Sequence, residues 1–198
     1  MPKLQSITTY FALNSSNDAS PSGVVDLVTN QPIFIPDLDQ GVYFDLTEAE
    51  ANSLSQTSVG TLHSGRYRRV KVDSGATAAN IKTGTIGLLA QPGSPLSMNV
   101  VTSYDIGTIG VRPVVFLNAI TPGNWGFVQE LGVATVLGTA TIQKASPAKG
   151  DLVDSATGGL VNDLTAQAYA ATSLGVAMDQ PQAALKFKIL LELPTIQD

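Results

Sequence analysis

The sequence predicts a mainly β protein, a β-sandwich or barrel with an extended N-terminal arm and one short helix near residues 47–56. Between residues 111 and 153, apolar β-type runs are interrupted at short intervals by Gly, Pro and Asn, a spacing typical of sandwiches and barrels. The run at 185–193 places apolar residues at every second position and mostly charged residues between them, which indicates a half-buried strand. A chain of 198 residues is long enough to bury a self-supporting core.

Composition excludes several classes of function. The 11 basic and 16 acidic residues give a net charge of −5, which argues against nucleic acid as a partner. Cysteine is absent, so the chain offers no disulfide or thiolate site, and we expect neither a metal nor a cofactor. No run approaches the ~20 apolar residues of a membrane span, so no membrane partner is expected. Only 14% of the residues are charged, which favours a surface partly covered by neighbouring subunits.

Three segments are predicted along the chain: an arm at 1–36, a small β-rich domain with the helix at 37–92, and a β-barrel or sandwich domain at 96–198. The boundary is placed at 91–95, where two prolines and a glycine would stop any β-ladder. The arm holds short apolar pieces around a turn-rich loop at 14–23, and such arms become ordered by pairing with another chain. A peripheral hairpin of the same domain is the alternative.

The helix is predicted from its N-terminus. Thr47 followed three residues later by Glu50 forms a capping box, and Glu48 and Glu50 in the first turn suit the helix dipole. Leu46 and Leu54 are expected to anchor this helix across the end of the β-structure.

Alternation and turn residues predict the strands. They are placed at 66–72, 98–103, 111–117, 125–136, 140–144, 151–153, 160–162 and 184–193, with 169–177 left open between helix and strand. The first of them holds Arg66, Arg68 and Arg69. These side chains indicate either a positive patch facing an acidic protein surface or a charged edge strand that discourages wrong pairing.

Candidate chemistry in this sequence is sparse. Asp73-Ser74-Gly75-Ala76 resembles the signature of retroviral aspartic peptidases, in which two carboxylates share a proton. However, no second motif is found, and Arg69 and Lys71 precede the aspartate in a segment that is apolar in that family. Asp-Ser-Gly is also ordinary turn chemistry. His63, the single histidine, is expected to be a loop residue. Trp125, the single tryptophan, is expected to be a core residue, with sugar stacking as the alternative. We therefore expect no enzyme activity.

The second half of the chain resembles the decoration or cement proteins of tailed-bacteriophage heads. The resemblance is one of element order, carried by these segments: 121–129 (TPGNWGFVQ), 132–134 (GVA), 149–153 (KGDLV), 174–177 (LGVA) and the closing apolar strand. It implies a β-domain on the outside of the phage head, assembled in the host cytoplasm and usually trimeric, which bridges subunits of the major capsid protein.

On this interpretation the contacts come from the arm and the basic strand. Apolar arm residues would supply the buried centre of the interface and arginines its rim. The expected contact residues are Tyr10, Phe11, Phe34, Ile35, Arg66, Arg68 and Arg69. A tail or baseplate component, or a receptor-binding module that uses Trp125, is the alternative.

Overall fold

The computed structural model describes residues 43–55, 62–89, 100–102, 112–140, 142, 147–163, 173–181 and 185–191. The predicted arm and the boundary at 91–95 lie outside these ranges. The elements are β1 (Tyr43–Leu46), α1 (Glu48–Ser55), β2 (Gly65–Val72), β3 (Ile86–Leu89), β4 (Val100–Thr102), β5 (Arg112–Phe116), β6 (Trp125–Leu137), β7 (Leu152–Ala156), β8 (Leu160–Asp163), β9 (Gly175–Ala177) and β10 (Lys186–Leu191), with single 3-10 turns at Ala78–Asn80 and Thr157–Gly159. The predicted mainly β class is confirmed.

The capping box starts helix α1 as predicted. The Thr47 N–H donates to Glu50 Oε2 at 2.8 Å, and the Glu50 N–H donates to Thr47 Oγ1 at 3.3 Å. The Thr47 N–H and the Thr47 hydroxyl both donate to the Glu50 carboxylate, and these two hydrogen bonds hold the pKa of Glu50 below its ordinary value. Among the described residues, no helix is long and apolar enough to cross a membrane.

Most of the predicted strands form, with shifted ends. The open stretch at 169–177 contributes β9, and β1 and β3 were not predicted as strands. The predicted strand at 140–144 is wrong at the two positions that are described, 140 and 142. The Ile142 N–H donates to the carbonyl of Thr139 at 3.1 Å, which closes a turn there instead of a ladder.

The strands form one ten-stranded, mainly antiparallel sheet in the order β1-β2-β4-β3-β5-β6-β10-β9-β7-β8. An extra pairing of β2 with β6 joins β2, β4, β3, β5 and β6 in a ring of pairings, while the sheet as a whole is open. The strands described on both sides of 91–95 pair with each other, β2 with β6 and β3 with β5. The division into two domains stays a prediction.

Two clusters of buried apolar residues can be traced in the part of the chain that the structure describes. The first lies inside the ring and consists of Val70, Val72, Ile81, Leu89, Val114, Phe116, Ile120 and Val128. The second joins Ile86 and Val115 to buried residues of the later strands and of the segments beside them: Ala134, Val136, Ile142, Val153, Val161, Leu174, Ala177, Phe187, Ile189 and Leu191. The strands outside the ring, namely the second half of β6 with β10, β9, β7 and β8, form a second layer. Because β3 and β5 supply residues to both clusters, they are the wall shared by the ring and this second layer.

Strand β6 is 13 residues long and changes partners in its middle. Its first half pairs with β2 and its second half pairs with β10. Gly132 lies at the change, paired with both Gly65 and Leu191. Its φ is +95°, and a Cβ at this position would collide with the Ser64 carbonyl and lie 2.7 Å from Gly65 Cα. Glycine is therefore required by both conformation and space.

A buried ion pair lies on the ring side of β2. The register shifts between Arg66 and Tyr67 and leaves Glu130 of β6 without an opposite residue, which is a β-bulge. Arg68 donates from Nε to Glu130 Oε2 at 3.0 Å and from Nη2 to Glu130 Oε1 at 3.2 Å. Glu130 is 1% exposed and Arg68 is 9% exposed, so each charge depends on the other.

We expect Glu130→Gln to lower the free energy of unfolding by about 3 kcal/mol, because it leaves the Arg68 charge buried without its counter-charge. Urea titration measures the change. Asp45→Asn is the matched control, since it removes the carboxylate of the more exposed Arg66–Asp45 pair and should cost about 0.5 kcal/mol. Equal losses in the two variants would contradict a structural role for Arg68.

We expect Gly132→Ala to lower the free energy of unfolding by about 3 kcal/mol, because the methyl group meets backbone atoms that cannot move separately. Gly150→Ala provides the comparison, since Gly150 has a φ of +96° with nothing within 4 Å of the added Cβ. In this control only the positive φ is unfavourable for alanine, so the free energy of unfolding should fall by about 1 kcal/mol. Similar losses in both variants would show that β6 tolerates a side chain at its partner change.

Candidate interaction surface

Among the contact residues predicted from the sequence, Arg66 and Arg68 have described side chains, and these lie in different surroundings. The four arm residues, Tyr10, Phe11, Phe34 and Ile35, lie outside the described residues. Arg66 is partly exposed and donates from Nε to Asp45 Oδ1 at 2.8 Å, whereas Arg68 is buried against Glu130. The backbone of Arg69 lies on β2. Contact of these residues with a partner stays a prediction, and the burial of Arg68 favours a structural role for that residue.

Asp73 lies in a turn after β2. Its Oδ1 accepts the Gly75 N–H at 2.9 Å, and its carbonyl accepts the Ala76 N–H at 3.0 Å, an Asx-turn arrangement. No group of three or more potential metal ligands occurs among the described residues. Trp125 opens β6 and is 8% exposed, so its ring has little surface to offer a sugar.

His63 lies just before β2, outside the helices and strands, and belongs to a buried polar cluster. It is 7% exposed, its N–H donates to the Tyr67 hydroxyl at 3.3 Å, and that hydroxyl donates to the His63 carbonyl at 2.6 Å. Its Nδ1 lies 3.9 Å from Glu48 Oε1. Its Nε2 is buried and has no hydrogen-bond partner in the part of the chain that the structure describes.

Electrostatics in this cluster keep the histidine neutral. Burial lowers the pKa of His63, the positive charge of Lys188 lowers it further, and Glu48 and Asp179 oppose the shift. Burial also raises the pKa of Tyr67 to about 12. Burial and Lys188 outweigh the carboxylates of Glu48 on α1 and Asp179 after β9, so the net effect of the cluster favours an uncharged imidazole.

The outer side of the second layer carries an apolar row. Alternate residues of β10 point to the core, Phe187, Ile189 and Leu191, so Leu190 points away from it. Leu190 is opposite Val133 of β6 and Val176 of β9, and Val176 is opposite Leu152 of β7. Directly opposite residues share a face, so these four side chains form one row across four strands, about 14 Å wide.

Met178 extends this row. Its N–H donates to the Lys188 carbonyl at 2.8 Å, which continues the β9–β10 ladder by one residue and places Met178 on the same side as Val176. Leu152 is 40% exposed and Met178 is 37% exposed, and they are the exposed large hydrophobic residues of the described chain. We call Val133, Leu190, Val176, Leu152 and Met178 the apolar face.

Charges of opposite sign border the apolar face. Lys186 and Lys188 lie on the same side of β10 as Leu190, and Lys186 is exposed. Asp154 lies on the same side of β7 as Leu152, in the other direction along the strands. The face thus has a basic flank at Lys186 and Lys188 and an acidic flank at Asp154.

The apolar face was not predicted from the sequence, although one residue of the sequence points to it. Leu190 is an apolar residue on the otherwise charged side of the alternating run at 185–193. The other members come from three separate strands, and only the register of β6, β9 and β7 against β10 places them beside it.

Comparison with solved structures gave a weak likeness. No family model matches the chain, and no curated protein matches it. The N base of the head fiber protein gp8.5 of bacteriophage phi29 is similar over 67% of this chain and 98% of its own, with 13% identity and a TM-score of 0.44. A likeness at this level assigns neither a fold nor a function to the chain.

We expect the free energy of unfolding to fall as the pH drops through about 6.5, the ordinary pKa of histidine, which applies to the unfolded chain. The folded-state pKa of His63 is lowered, so the unfolded chain binds the proton more readily and gains stability relative to the folded chain as acid is added. Urea titrations of the wild type and His63→Gln at several pH values measure this. The wild type should lose stability relative to the variant between pH 8 and pH 5, and a constant difference would contradict the role of His63.

Proposed function

We propose that this protein is a structural protein of a tailed-phage virion that binds the outside of the head and cements subunits of the major capsid protein. It takes up this position in the host cytoplasm as a homotrimer. In this proposal Asp73 forms a turn and carries no catalysis, and Trp125 packs in the domain.

The observation that supports this proposal most is the apolar face. A folded domain that leaves a row of Leu, Val and Met side chains in contact with water gains free energy when another protein covers them. An acidic and a basic flank around such a row match the anatomy of protein interfaces, with an apolar centre and a polar rim. These features favour a protein that works by assembly.

The segments that resemble head decoration proteins belong to the strands of the second layer or lead into them. Residues 121–129 lead into β6, 132–134 include its partner change, 149–153 lead into β7, and 174–177 include β9. The resemblance in element order therefore falls on the strands that carry the apolar face.

Removal of residues 1–36 tests the function. The truncated chain should lose binding to heads that lack this protein by at least a hundredfold, because strand pairing by the arm supplies the main contact with the capsid. Co-sedimentation with purified heads gives the occupancy, and circular dichroism and melting temperature show whether the β-domain stays folded.

A full-length Asp73→Asn variant serves as the control and should bind heads like the wild type. Full occupancy by the folded, truncated chain would contradict the role of the arm. No binding of heads by the full-length wild type would contradict the proposed function itself.

A further inference from the structure

We infer that His63 makes the contact between residues 62–64 and strand β10 sensitive to acid. A proton on the His63 ring moves residues 62–64, together with helix α1, away from β10, while the ring and the second layer stay folded. This device belongs to the single chain in solution and goes beyond the proposed function, so it holds or fails whether or not the chain binds heads.

Protonation of His63 places a hydrogen on a buried nitrogen that has no acceptor. Nδ1 lies 3.9 Å from Glu48 Oε1, so the single proton of the neutral ring is best placed on Nδ1. The second proton then goes to Nε2, which is buried and has no hydrogen-bond partner among the residues that the structure describes. Because the side chain is only 9% exposed, water has little access to this new N–H in the closed arrangement.

The charges around the ring add to this cost. The ionisable groups that face it are Glu48 of α1, Tyr67 of β2, Asp179 after β9 and Lys188 of β10. The two carboxylates favour a positive imidazole, whereas burial and Lys188 oppose it, and the balance lowers the pKa of His63. Tyr67, with a pKa of about 12, stays neutral and compensates no charge.

Residues 62–64 can move without breaking the sheet. They lie between α1 and β2, outside the strands, so their movement separates no pair of strands. The Ser64 N–H donates to Glu48 Oε2 at 2.9 Å, which ties this segment to α1. A charged His63 that moves toward water therefore gains hydration and leaves Lys188, while Glu48 moves with it as a counter-charge. The opening is local, because the buried clusters of the two layers are not needed for it.

Single cysteine probes test the inference, because the chain contains no cysteine. Leu62 is 2% exposed and Ala51 of α1 is 0% exposed, so the thiols of Leu62→Cys and Ala51→Cys react with a soluble disulfide reagent only after opening. Val128→Cys, at a fully buried position of the ring cluster, reports global unfolding. Labelling rates of the full-length chain are divided by those of the urea-unfolded chain at the same pH, which removes the effect of thiol ionisation.

The normalised rates at Leu62→Cys and Ala51→Cys should rise about tenfold from pH 7.5 to pH 5. The open form takes up a proton at the ordinary histidine pKa of about 6.5, whereas the closed form resists it, so acid favours opening. These rates should exceed the rate at Val128→Cys and should depend little on low concentrations of urea, since a local opening exposes little surface. His63→Gln, placed in the same probe chains, should abolish the rise.

Two lysine variants test the role of the charge on β10. Lys188→Gln should reduce the rise with acid at least twofold, because it removes the repulsion that the charged ring meets in the closed form. Lys186→Gln is the matched control, since Lys186 is an exposed lysine on the same side of the same strand, and it should leave the rise unchanged. The Ser64 N–H holds the pKa of Glu48 below its ordinary value, so Glu48 keeps its charge at pH 5.

Three results would overturn the inference. The first is labelling at Leu62→Cys and Ala51→Cys with the rate and the urea dependence of Val128→Cys, which would mean that these positions open only by global unfolding. The second is a rise with acid that persists in His63→Gln. The third is an equal response of Lys188→Gln and Lys186→Gln. Melting temperatures show which probe chains fold, and either of the two opening probes alone is sufficient for the test.

Discussion

The fold depends on one strand that serves two sets of partners. Strand β6 closes the ring of pairings through β2 and then opens the second layer through β10. The change is possible because Gly132 adopts a positive φ and lets Ser64 and Gly65 approach where any side chain would collide. In this arrangement the cluster around Phe187 and Ile189 packs on Ile86 of β3 and Val115 of β5.

The same region resolves a conflict between charge and burial. Alternation along β2 points Arg68 toward the ring interior beside Val70 and Val72, where an unpaired guanidinium would be costly. The bulge supplies one additional β6 residue, Glu130, and its carboxylate meets Arg68 through two hydrogen bonds. His63 is also buried, but its lowered pKa keeps the imidazole neutral, so no buried charge has to be balanced there.

The surface presents the opposite situation, because apolar side chains are left toward solvent. Leu152 is 40% exposed and Met178 is 37% exposed, whereas the neighbouring residues Val153 and Ala177 point to the buried cluster on the other side of the second layer. A sheet with one buried face usually alternates apolar and polar residues. The apolar face departs from this pattern at Leu190, Val176 and Leu152, and such departures mark places where a protein is completed by another molecule.

The sequence by itself determined the local structure. Thr47 and Glu50 specify the helix start, and the alternation from 185 to 193 and the turn residues around 123 and 150 specify strands, because these signals act over two to four residues. Only the tertiary structure decided which strands are neighbours, since register depends on packing between residues that are far apart in the chain. For this reason the sequence could not separate Arg66 from Arg68, could not pair Arg68 with Glu130, and could not bring Leu152, Val176 and Leu190 into one surface.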